Sequence, residues 1–98
     1  MLSKLNQGNT MIKMISNETQ LTNLTLEEAQ KFVGGYVQLI KLANGQKMLF
    51  DEEARIKTPR PKVNIEASKI LQDNNSAPTL KILGNAIIIE KNIKNGGW

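Results

Sequence analysis

The segment from Thr25 to Tyr36 carries its own start and stop signals, and no other stretch narrows the fold as much. Thr25 and Glu28 have the spacing of a capping box, in which each side chain takes up a backbone N–H left open at a helix start. Leu26, Ala29, Phe32 and Val33 then share one face. Lys31 falls in the last turn, where the helix dipole favours a cation. Gly34 offers the left-handed conformation that ends a helix, and Gly35 lets the chain enter a strand at once. Val33-Gly34-Gly35-Tyr36 therefore reads as a structural joint. Phosphate loops put their glycines before a helix, whereas these follow one.

The strand expected after the joint covers residues 36–43. Asn44-Gly45 is a strong signal for a two-residue type I′ hairpin turn, and the return strand covers residues 46–51. Such a turn pairs Ala43 with Gln46, which puts Leu39 opposite Phe50 and Ile40 opposite Leu49. One face then carries Val37, Leu39, Met48 and Phe50, and the other Tyr36, Ile40, Leu42 and Leu49. Both are apolar. A sheet with water on one side should alternate, so the second face is expected to meet a helix, another strand layer or another subunit. Tyr36, Ile40, Leu42 and Leu49 are thus a candidate interaction face, with a homo-oligomer as a candidate assembly.

Elsewhere the signals are plainer. Residues 11–15 suit a strand, and residues 17–23 a polar connection. Residues 63–73 read as a second helix with Asn64 as N-cap, Glu66 in the first turn and an apolar stripe of Ala67, Ile70 and Leu71. Residues 79–83 and 86–91 read as strands around a Gly84-Asn85 turn, and the run Ile87-Ile88-Ile89 suits a central strand. The expected fold is α+β, in the order β-α-β-β-α-β-β, with a mainly antiparallel sheet and two helices. Its first six elements have the order of the ferredoxin-like split βαβ. A chain of 98 residues has room for one core, taken to span residues 11–91. A flexible leader over 1–10 and a loose tail over 92–98, ending in Trp98, complete the organisation.

Composition closes several chemistries. The chain has no histidine and no cysteine, so the commonest general base and the thiol nucleophile are both missing. Disulfides and thiolate metal sites are excluded, and a reducing cytoplasm suits the chain. No serine sits in a nucleophile elbow, and there is no phosphate-binding Gly-x-x-x-x-Gly-Lys loop. No apolar run approaches the roughly 20 residues of a membrane span. Asp51, Glu52 and Glu53 are adjacent acids at a strand end, better read as a solvated turn than as paired catalytic carboxylates. No enzyme, cofactor or metal site is expected.

The basic loop is the better site candidate. Arg55, Lys57, Arg60 and Lys62 lie close together, with Pro59 and Pro61 limiting the backbone between them. Arginine offers a planar fork for phosphate or carboxylate, and the prolines lower the entropy cost of presenting it. The following helix start near Asn64 and Ile65 adds backbone N–H groups. The net charge of +4 is too modest to be a nucleic-acid footprint by itself. The bland alternative is a solvated loop paired with the neighbouring acids.

The stretch Leu26-Glu27-Glu28-Ala29-Gln30-Lys31-Phe32-Val33-Gly34-Gly35-Tyr36-Val37-Gln38 resembles the domain of unknown function numbered 3846, found in bacteriophages, prophages and some bacteria. Softer matches are Asp51-Glu52-Glu53-Ala54-Arg55, Asn64-Ile65-Glu66-Ala67 and the strand around Gly84 to Ile89, so the likeness covers about residues 24–91. Ala54 stands where the family has glycine. The resemblance implies a setting rather than a mechanism: a small phage or mobile-element accessory protein in a host cytoplasm. The functional expectation is a non-enzymatic protein that binds and modulates a host protein, of the host-takeover or anti-defence inhibitor type. The alternative is a nucleotide or nucleic-acid binder using the basic loop 55–62.

Overall fold

A computed structural model of the chain describes residues 10–74, 81–91 and 93. The elements are β1 (Ile12–Ile15), α1 (Glu18–Thr22), α2 (Leu26–Val33), β2 (Val37–Lys41), β3 (Lys47–Asp51), a 3-10 turn (Ala54–Ile56), α3 (Ile65–Asp73) and β4 (Ala86–Ile89). The strands form one sheet in the order β1-β4-β3-β2. β1 runs parallel to β4, while β4–β3 and β3–β2 are antiparallel. The domain is α+β with a mixed four-stranded sheet. Element order alone leaves topology open; here β1 and β2 occupy opposite edges, and β4 sits inside.

α2 forms as its sequence requires. Thr25 accepts from the Glu28 N–H at 3.0 Å, and Glu28 accepts from the Thr25 N–H at 3.3 Å. Gly34 ends the helix with φ 94°. Gly35 is required for a different reason. A Cβ there would stand 2.7 Å from an oxygen of the Asp51 carboxylate, so the second glycine makes room for a buried acid.

The hairpin differs from expectation by one residue. The Gly45 N–H bonds to Leu42 O and the Leu42 N–H to Gln46 O. The loop is thus Ala43-Asn44-Gly45, with Gly45 at φ 96°, a three-residue loop in place of the two-residue turn. Leu39 therefore faces Leu49, and Ile40 faces Met48. Because side chains alternate along a strand, one slipped residue exchanges the faces. Val37 and Leu49 join Ile15, Leu21, Leu24, Ala29, Val33, Ile87 and Ile89 in one core, under α1 and α2. Ile40, Leu42, Met48 and Phe50 join Ala67, Leu71, Ile82, Ala86 and Ile88 in the other, under α3. The second apolar face thus meets a helix of the same chain.

Three further corrections follow the same logic. Residues 18–22 are helical: Asn17 accepts from the Gln20 N–H at 2.8 Å, and Leu21 is buried. α3 begins at Ile65, because Val63 is drawn into an antiparallel bridge with Leu83. That bridge replaces the expected hairpin around Gly84-Asn85. Of the expected strand 79–83, Thr79 and Leu80 lie outside the described residues, and only Leu83 makes a bridge. Gly84 adopts φ 82°, and Asn85 ties Met11 N–H to the end of α2 through Phe32 O. Ala86, Ile87, Ile88 and Ile89 are all buried, as expected of a central strand. Each such isoleucine contributes about 2 kcal/mol of burial free energy. The expected leader falls on residues outside the description except Thr10; of the expected tail, Ile93 packs against the α1–α2 core, and Trp98 is outside it.

Candidate functional site

The loop between β3 and α3 is held by a lock that uses one of its own cations. Asp51, at the end of β3, is 4% exposed. Its Oδ1 accepts from the Glu53 N–H at 2.9 Å. Its Oδ2 takes no directional hydrogen bond among the described residues; its counter-charge is the Lys57 ammonium 2.5 Å away. The same ammonium donates to Gly34 O, a carbonyl at the negative end of α2. Lys57 therefore joins the α2 terminus, the β3 end and the loop, and the double glycine is the surface on which the lock closes. Lys57 is a positioning residue here and does not join the other cations as a ligand group.

Arg55, Arg60 and Lys62 remain at the surface. The Arg60 Nε–H donates to Arg55 O at 3.1 Å, and the Arg55 guanidinium reaches Lys81 O at 3.5 Å. The Thr58–Pro59 peptide between them is cis. A cleft of about 540 Å³ is lined by Arg55, Arg60, Lys62 and Lys81 with Pro61, Val63 and Leu83. Among the described residues its lining carries four cations and no acid. Sequence reasoning missed Lys81, because its place depends on the Val63–Leu83 bridge, which no local signal marks. The bridge brings Lys81, 19 positions after Lys62 in the chain, to the same wall.

A second cavity of about 260 Å³ shares Arg55, Lys81 and Leu83 with the first and extends to Gln38, Ile40 and Phe50, with the acids Asp51 and Glu52 also in its lining. The two form one groove from the α3 start to the β2 edge. The Asn64 and Ile65 end of α3 is not an open anion site of the kind expected. Asn64 is 1% exposed, its N–H donates to Ile82 O, and its side chain caps Ala67 while donating to Gly84 O and Met11 O.

The four residues of the expected interaction face are separated. Leu49 lies in the α1–α2 core and Leu42 in the α3 core; both are buried. Ile40 is half-buried at the groove, and Tyr36 is 62% exposed before β2. Glu52 and Glu53 are exposed while Asp51 turns inward, so the three acids do not converge. Among the described residues no group of acids could hold a metal ion, and no helix is long and apolar enough to cross a membrane.

No family model, curated protein or solved structure matches this chain.

Proposed function

We propose that this chain is a non-enzymatic binding protein whose basic groove captures an acidic segment of a partner protein. The observation that carries this reading is the cleft of Arg55, Arg60, Lys62 and Lys81, whose wall also includes exposed Val63, half-buried Pro61 and the edge of buried Leu83. Cations beside apolar surface suit a protein ligand, which offers both carboxylates and side chains to bury. The resemblance to a phage-associated domain supports a host protein as the partner and modulation or inhibition in the host cytoplasm as the effect.

Nucleotide or nucleic-acid binding is the competing reading, since the same cations would accept phosphate. The groove lining favours the first, because it holds Phe50 in the core and, among the described residues, presents no exposed ring on which a base could stack. The test is a titration at low salt, where charge-driven binding is strongest. Oligoglutamate and a single-stranded oligonucleotide of equal charge are compared on the parent chain and on R60E/K81E. The proposal expects tighter binding of the polypeptide, lost in the double variant. Preference for the oligonucleotide would replace it with the competing reading, and binding of neither would end both.

A further inference from the structure

The groove does not stop at the cations. It reaches the edge strand β2, which among the described residues has β3 as its only neighbour in the sheet. Tyr36 O accepts from the Glu52 N–H, and the Leu42 N–H bonds Gln46 O, so the Tyr36/Glu52 and Leu42/Gln46 pairs are hydrogen-bonded ones. Antiparallel pairs alternate, which directs the backbone groups of Gln38 and Ile40 toward β3 and those of Val37 and Leu39 away from the sheet. The side chains of Gln38 and Ile40 meanwhile line the groove, beside Phe50 and Leu83. One strand thus presents outward backbone groups and, on its α3 face, an apolar floor that runs into Arg55 and Lys81.

We infer that the partner segment binds as an added strand on the outer edge of β2, with alternate side chains entering the groove, an apolar one over Ile40 and Phe50 and acidic ones toward Arg55 and Lys81. This rests on the acidic-partner reading and gives it a backbone geometry. Strand addition draws affinity from main-chain hydrogen bonds and specificity from alternate side chains. Charge complementarity selects the occupant. Four cations line one end of the groove. Where the groove meets β2, Asp51 is neutralised by Lys57, while exposed Glu52 lines the same cavity as Arg55 and Lys81, so the acids of the ligand are drawn on toward the cleft that Arg60 and Lys62 complete. The ligand pattern is therefore an apolar residue over Ile40 and Phe50 with, at two-residue spacing, acids toward the cationic cleft. A second copy of this chain is a poor occupant, since its own β2 brings Lys41 and a basic groove.

The experiment measures fluorescence polarisation of a labelled peptide of alternating glutamate and valine, and of the same peptide N-methylated at every second residue on one edge or on the other. The inference expects one N-methylated form to bind about tenfold more weakly than the parent peptide, while the other keeps most of its affinity. L39P removes an outward N–H without touching the β2–β3 ladder, and proline is tolerated on such an edge. It should weaken binding to a similar degree while keeping its melting transition. If L39P does not fold, the methylated peptides decide alone. Equal binding of all three peptides, lost in R60E/K81E, would overturn strand addition and leave the acidic-partner reading standing. Binding unaffected by R60E/K81E, or no binding at all, would overturn both.

Discussion

On one face of the sheet, α1 and α2 cover the strands from Ile15 across Ile87 and Leu49 to Val37. On the other, α3 lies over Met48, Ile88 and Phe50 but leaves Gln38 and Ile40 bordering an open groove. The first face is closed by two short helices joined at Asn23–Thr25; the second by one nine-residue helix whose approach is set by the proline-containing loop before it. Under α1 and α2 the side chains are core, while at the β2 edge Leu39 of this face stays exposed. Where helical cover is partial, the same alternation of apolar residues yields a core at one end of a strand and a lined cleft at the other. The candidate site is therefore a product of how much sheet α3 can span.

That contrast can be broken from either side, and the largest effects should come from the strand it divides. Leu49→Ala and Met48→Ala each remove a fully buried side chain and should each cost about 3 kcal/mol in denaturant unfolding. Native-state hydrogen exchange should separate them: Leu49→Ala lowers protection chiefly in α2, and Met48→Ala chiefly in α3. Equal loss in both helices would contradict the observed register.

Lys57→Met comes next. It leaves the Asp51 carboxylate buried without its counter-charge, and removing one partner of a buried pair costs about 3 kcal/mol; the half-exposed lysine end places this case at the lower limit. Chemical denaturation measures it. The same substitution should weaken groove binding by loosening the loop, although Lys57 does not line the cleft.

The two N-caps offer a finer comparison. Thr25→Ala removes one exposed cap and should cost about 1 kcal/mol. Asn64→Ala removes a cap and two further hydrogen bonds from a buried residue, and should cost about twice that. Smallest of all, R60E/K81E should move stability by no more than about 0.5 kcal/mol while abolishing binding of an acidic ligand. A large stability loss there would mean the cations are structural.

How far the sequence could be read follows the range of the interactions concerned. α2 was legible to the residue, because its cap, apolar face and terminating glycine lie within one segment. The strands β3 and β4 were legible in place, one and two residues shorter than expected, because their apolar runs need no partner to be recognised. The helix α1 was not, since its five residues are too few to show a period, though Asn17 ahead of Glu18 is the signal that could have found it. The hairpin register turned on whether Asn44-Gly45 forms the whole loop or its last two residues. Gly45 takes positive φ in either case, and the choice is fixed by cores on both faces. At the site, the cations of the loop were visible in sequence. The withdrawal of Lys57 into the lock and the arrival of Lys81 were not, because the first depends on the burial of Asp51 and on Gly34, 23 positions away, and the second on the Val63–Leu83 bridge.

The position of β4 has a consequence for how the molecule comes into being. It is the last described strand to be synthesised, yet it stands between β1 and β3. The first tie of β1 to that strand, Met11 N–H to Asn85 Oδ1, spans 74 positions. A nascent chain leaving the ribosome can make α2 and the β2–β3 hairpin early, since their contacts are local. It cannot seat β1 until Ile87, Ile88 and Ile89 have emerged. For most of translation Ile15, Leu21 and Met48 lack their final neighbours, and the window in which a chaperone could hold the chain closes only with the arrival of one four-residue strand.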